Sequence, residues 1–175
     1  MLERIWSGWR SSYVVGAGAN PAVGSGVGDP SVFTQLLESG LPDDETHIVH
    51  RAEHVFSIVN IHPYTSGHVL VLPYREVAEI ELLTPEESAE LWSVTTEAAA
   101  VVRAEYRPHG MNIGLNVGRP AGGSIPTHLH MHVVPRWNGD SNFMSTIANA
   151  QTLPEALVVT ASRIRTAWNA HISST

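Results

Sequence analysis

The sequence predicts an α+β domain, an antiparallel β-sheet flanked by helices. Three observations lead there. Short β-branched runs are bounded by Gly and Pro turns. Two longer stretches carry helix caps and one-sided apolar spacing. The connections between successive strands are short enough for hairpins, whereas parallel strands need crossovers of a dozen residues or more.

Taken in order, residues 1–15 hold Ile5, Trp6, Trp9 and Tyr13 and read as an N-terminal extension anchored by its aromatics. Residues 16–30, "GAGANPAVGSGVGDP", are almost uncharged and rich in Gly, Ala and Pro, the composition of a flexible loop. "SVFTQLLES" followed by Gly40 predicts a short helix with a glycine just past its end. Strands are expected near 47–52 and 54–60, then across "HVLVLP", His68 to Pro73, after the turn "IHPYTSGH". "TPEESAELWSVTTEAAAVVRAEYR" is the clearest helix. Thr84 and Glu87 form a capping box, Pro85 takes the first helical position, and Leu91, Val94, Ala98, Val101 and Val102 trace one face up to Pro108. "MNIGLNVG" reads as a strand, "RPAGGS" as a loop, and a further strand carries "HLHMHVVPRW". "NGDSNF" is a turn, and Thr152 with Glu155 is expected to open a last helix reaching about His171. The whole, residues 1–175, fits one domain with its core in 31–171.

Composition removes several functional classes. The formal charge of −7 makes sequence-independent nucleic-acid binding a poor fit. No run approaches the ~20 apolar residues of a membrane span, and "MLERIWSGWRSSYVV" lacks the apolar centre of a signal peptide. From these two features a cytoplasmic protein is expected. Zero cysteines exclude disulfides and thiolate metal sites and are compatible with a reducing compartment.

The oddity is ten histidines, three of them in "HLHMHVV". In a strand, alternate residues share a face, so His128, His130 and His132 would share one and Leu129, Met131 and Val133 the other. Three readings follow from this spacing. The trio could be the polar outer face of a half-buried strand. It could hold zinc, two imidazoles converging on an ion completed by His68 or a carboxylate. Or a neutral imidazole could attack an electrophile while a neighbour handles the proton. The Gly-rich approach "NVGRPAGGSIPT" lets backbone N–H groups come close to an anion, which favours phosphate chemistry. Arg136, Arg75 and Arg119 are candidate phosphate contacts, balanced against plain surface charge. Trp137 reads as packing, and Phe56 and Ile58 as core or as the wall of an adenine pocket.

The His-Leu-His-Met-His-Val-Val run resembles the signature of the histidine triad (HIT) nucleotide-binding proteins. "NIHPYTSGHVLVLPYREV", "LTPEESAELW" and "GMNIGLNVG…AGG" are similar to that family's preceding segments, and "HLHMHVVPRWNGDSNFM" to its bacterial diadenosine-tetraphosphate-processing branch. "LERIWSGWR" resembles the N-terminal extension of the mycobacterial-type diadenosine tetraphosphate phosphorylases. The resemblance spans residues 1–15 and 31–171 and implies a HIT-like fold, usually paired as a homodimer.

It also implies roles. His130 would be the nucleophile that forms a nucleotidyl-histidine. His132 would contact phosphate and help the leaving group depart, His128 would orient the site, and His68 would buttress it. Asn60 falls at a ribose-binding position, and Asn116, with Gly122, Gly123 and Ser124, on the phosphate side. No metal ligand or cofactor is obligatory, although magnesium can arrive on the polyphosphate. Many members carry glutamine four residues before the first histidine, where this chain has Ser124. That departure fits phosphorolysis, with inorganic phosphate as acceptor and ATP and ADP as products. The alternatives are a hydrolase releasing AMP from dinucleoside polyphosphates or nucleoside phosphoramidates, and a nucleotide- or zinc-binding module without turnover.

Overall fold

Among the described residues five strands form one antiparallel sheet in the order β1-β2-β3-β5-β4. They are β1 (Ile48–Arg51), β2 (Val55–Val59), β3 (Val69–Pro73), β4 (Gly110–Leu115) and β5 (Met131–Arg136). The computed structural model describes residues 30–140 and 155–174. The expected extension over 1–15, the Gly/Ala/Pro-rich loop up to residue 29, and Thr152 lie outside the described residues.

β2 and β3 are buried along their full length, which is why they read as continuous β-branched runs. Among the described residues four α-helices accompany the sheet: α1 (Val32–Glu38), α2 (Asp43–Thr46), α3 (Pro85–Tyr106) and α4 (Leu157–Ser174). α3 begins as its sequence requires. The Thr84 hydroxyl accepts from Glu87 N–H, and the Glu87 carboxylate accepts from Thr84 N–H, leaving two first-turn donors satisfied. It ends where Arg107 turns left-handed ahead of Pro108. Its buried stripe, with Ile164 and Trp168 of α4, packs against Val55, Val59, Val69, Val71, Met131 and Val133 on one face of the sheet.

The other face carries a smaller cluster of Ile48, Phe56, Ile58, Leu70 and Leu72 under Phe33 of α1. Phe56 and Ile58 are therefore core residues on this second face, and Phe56 stacks on Tyr74. α1 is capped by Ser31, and Gly40, with φ of +70°, lies just past its end as expected. α2 was not foreseen; its three consecutive acids crowd the first turn, where the helix dipole favours them.

Two expectations need correction. The triad does not begin within a strand: β5 starts at Met131, so of the three histidines only His132 sits in the ladder, opposite Leu70 and Gly114. α4 starts at Leu157, so Glu155 precedes the helix and is not part of its interior. Its carboxylate instead takes hydrogen bonds from Tyr106, Thr160 and Arg163, tying α4 to α3.

Candidate active site

The register places Ile58, Leu70, His132 and Gly114 in one row across the second face. The apolar members continue the core, and Gly114, on the exposed β4, leaves open space beside the imidazole. His130 and His128 extend this face toward α1, where Phe33 meets the His128 ring edge-on at 5.4 Å and the His130 ring at 5.5 Å. The three rings are 0%, 7% and 8% exposed for His128, His130 and His132. That removes the reading of a polar outer face.

Hydrogen bonds assign a proton to each ring. A carbonyl can only accept, so His130 Nδ1, 2.8 Å from His128 O, carries the hydrogen and leaves Nε2 with a free lone pair. His128 Nε2 donates to Pro73 O at 2.8 Å, so its Nδ1 accepts from the Ser31 hydroxyl at 2.7 Å. His68, fully buried just before β3, accepts the Tyr64 backbone N–H at Nδ1. Its Nε2–H therefore points at His132 Nδ1, 3.0 Å away. His132 in turn holds its own proton on Nε2, 3.3 Å from Asn116 Nδ2, so the Asn116 amide must turn its oxygen to that position to accept it. The result is a directed relay, Tyr64 N–H to His68 to His132, ending on an outward donor beside the unprotonated Nε2 of His130. The His130 and His132 ring centres lie 4.9 Å apart.

Burial keeps all four rings neutral. It pushes the pKa values of His68, His132, His128 and His130 below the ordinary value of 6.5. Proximity to His132 and His130 lowers His68 further, and proximity to His130 lowers His132.

The remaining expected residues divide. Asn60 lies at the end of β2 with its amide 3.4 Å from His68 Nδ1, and its oxygen accepts His62 N–H. Asn116 joins the site through His132. In the glycine loop, Gly122 and Gly123 donate their N–H groups to Arg119 O and Gly118 O, so both build the loop itself. Gly123 is required there, because a Cβ would lie 2.8 Å from Asn116 O. Ser124 is exposed on the same loop. Arg75 is drawn away by Glu87 and Leu82 O, and Arg136 is paired with Asp140. Trp137 packs against Tyr106 at 6.5 Å. Among the described residues, no group of three or more His, Asp or Glu side chains is disposed to hold a metal ion. The ring protons explain this, since every nitrogen of His128 and His68 is already engaged within the protein.

Sequence reading missed Ser31, Phe33 and Tyr64. Tyr64 stacks on His132 at 5.9 Å with nearly parallel rings. Only Tyr64 had a local signal, its place in the turn that delivers His68.

A family model, the HIT domain, matches residues 42–139. The chain belongs to the HIT domain family. Within that family it is 41% identical over 167 residues, 95% of this chain and 85% of the relative, to a protein named AP-4-A phosphorylase from Mycobacterium tuberculosis. It is 33% identical to the asymmetrical bis(5'-nucleosyl)-tetraphosphatase of Schizosaccharomyces pombe, over 54% of this chain and 52% of that one. A solved zinc-bound histidine triad family protein from Mycobacterium smegmatis superposes with a TM-score of 0.67 at 27% identity, covering 83% of this chain and 97% of the other.

Proposed function

We propose that this HIT protein is a nucleotidyl-transfer enzyme that cleaves dinucleoside polyphosphates, diadenosine tetraphosphate above all, by phosphorolysis to ATP and ADP. The observation that carries the reading is the tautomer of His130: Nδ1–H is fixed on His128 O, and Nε2 is left free beside the outward N–H of His132. The likeness to the M. tuberculosis protein over most of both chains supports the choice of substrate and acceptor.

In the first step His130 Nε2 attacks an α-phosphorus. The P–N bond forms, the bridging P–O bond breaks, and ATP leaves with its oxygen hydrogen-bonded by His132 Nε2–H. The imidazole becomes cationic as the P–N bond forms, and the His128 carbonyl at 2.8 Å stabilises the proton retained on Nδ1. In the second step inorganic phosphate attacks the nucleotidyl-histidine, ADP leaves, and His130 returns to its neutral form. His68 holds His132 in the donating tautomer, and His128 works through its backbone oxygen. Asn60 serves the ribose. Asn116 and Ser124 serve the phosphates, on a loop shaped by Gly122 and Gly123. Magnesium enters with the polyphosphate.

The reading includes a cytoplasmic homodimer. β4 is an edge strand with Ile113 exposed, and Val117 just beyond it is exposed as well, which supports pairing with a second copy. Among the described residues no helix is long and apolar enough to cross a membrane.

The test is product analysis with diadenosine tetraphosphate, with and without inorganic phosphate. ATP and ADP appearing only when phosphate is present is the expected outcome. AMP and ATP in both samples would make the chain a hydrolase, and no product in either would leave a binding module. Mass spectrometry after an alkaline denaturing quench, in which a P–N bond survives, should find an adenylyl group on His130 in the absence of phosphate.

A further inference from the structure

We infer that Ser31, anchored by Glu76, is a positioning residue for the nucleophile: its hydroxyl proton fixes the His128 ring, and with it the carbonyl that sets the tautomer of His130. Ser31 lies 97 residues from His128 in sequence and caps a different element. An N-cap needs only an acceptor, and Ser31 Oγ meets that need by accepting Thr34 N–H at 3.1 Å. Capping leaves the hydroxyl proton unused, and that proton is directed at His128 Nδ1, 2.7 Å away and buried with it.

The anchor is equally specific. Glu76 Oε2 accepts Ser31 N–H at 2.8 Å and the Thr34 hydroxyl at 2.9 Å. Burial works against the charge on Glu76, but hydrogen bonds from Ser31, Thr127 and Thr34 outweigh it and hold the carboxyl below its ordinary pKa. The same turn sets Phe33 against both His128 and His130. With both ring nitrogens engaged, His128 cannot rotate without breaking a buried hydrogen bond. Its main chain, which bears the acceptor for His130, is thereby held. Small errors of placement at a reacting centre cost up to ~100-fold in rate.

The inference about rate rests on the proposed nucleotidyl transfer, whereas the inference about the rings does not. Long-range ¹H–¹⁵N correlation spectra of histidine-labelled protein near pH 7.5 should show His130 as a single Nδ1–H tautomer and His128 as Nε2–H. Ser31→Gly keeps most of the cap, since glycine is well tolerated at a helix N-cap. It should turn the His130 pattern into a mixture and lower kcat about tenfold, with the KM for dinucleotide changed by less than about twofold. Ser31→Thr keeps both cap and donor and should restore both readouts. Ser31→Asp keeps the cap but replaces the donor with an acceptor, so His128 should become doubly protonated; this variant decides the matter if the glycine variant does not fold. An unchanged His130 pattern in both the glycine and aspartate variants overturns the inference, as does a loss confined to KM or to melting temperature. If the wild type shows the predicted tautomers but turns over no diadenosine tetraphosphate, the functional reading fails and the positioning inference stands.

Discussion

An imidazole attacks through a nitrogen that bears no proton, and His130 has its choice made by one backbone oxygen. Replacing it with alanine removes the nucleophile but little of the pocket wall, because Phe33, His128 and His132 remain around it. His130→Ala should therefore lower turnover of diadenosine tetraphosphate by more than ~1000-fold while calorimetric affinity for the nucleotide changes only a few-fold. An affinity collapse in step with turnover would instead make His130 a binding residue. The pH profile has a defined sign. Burial lowers the His130 pKa, so its attacking neutral form persists below pH 6.5. The acid limb of kcat/KM should fall below that value, and a limb centred above it would mean that the nucleophile is solvated.

At the scale of elements, the glycine loop between β4 and the triad shows how a backbone constraint becomes a chemical one. A Cβ on Gly123 would lie 2.8 Å from Asn116 O and 3.0 Å from Gly118 O. Both neighbours are main chain, so the loop itself must move, and Asn116 moves with it. Gly123→Ala should cut kcat/KM by at least about tenfold. The melting temperature should drop by only a few degrees, because Gly123 and its neighbours at 116–124 belong to neither core cluster and only Ile125 at the loop's end packs against one. An activity loss fully explained by unfolding would contradict this. Elements whose cause is local were legible in the chain, such as the capping box of α3 and the glycine after α1. The strand boundary was not. The His-x-His-x-His alternation continues the period of β5, but the ladder to β3 reaches back only to Met131; the His128 ring bonds instead to Ser31 and Pro73, and the His130 ring to the His128 backbone. Glu155 is a similar case, since its sequence offers a cap partner while the fold offers Tyr106 and Arg163. In the site, the histidines and asparagines carried a pattern. Ser31 and Phe33 carried none, because their meaning depends on a contact with a residue nearly a hundred positions away.

The molecule as a whole buries four neutral imidazoles in one cluster, and that choice has a thermodynamic consequence. In the unfolded chain each titrates near 6.5, while in the folded protein burial depresses every one. Below pH 6.5 the unfolded state therefore binds protons that the folded state refuses. Stability is complete above pH 6.5 and is lost as pH falls toward the folded values. Each ring can remove up to about 1.4 kcal/mol per pH unit, so several acting together rival a total stability of about 5–15 kcal/mol. The carboxylates add their share only lower down. Burial opposes the charge on Glu76 and Glu155, and hydrogen bonds overcome it; Glu87 is held down first by Arg75. All three lie below the ordinary 4.5, so their contribution is present above that value and disappears beneath it. The expected result is a loss of stability that begins near pH 6.5, well before carboxylates protonate. Urea unfolding at steps from pH 7.5 to 5.0 should show the midpoint falling steadily below pH 6.5 with an unchanged slope. A midpoint flat to pH 5.0 would mean that the cluster accepts protons in the folded state, and a His130 already cationic there could not attack phosphorus.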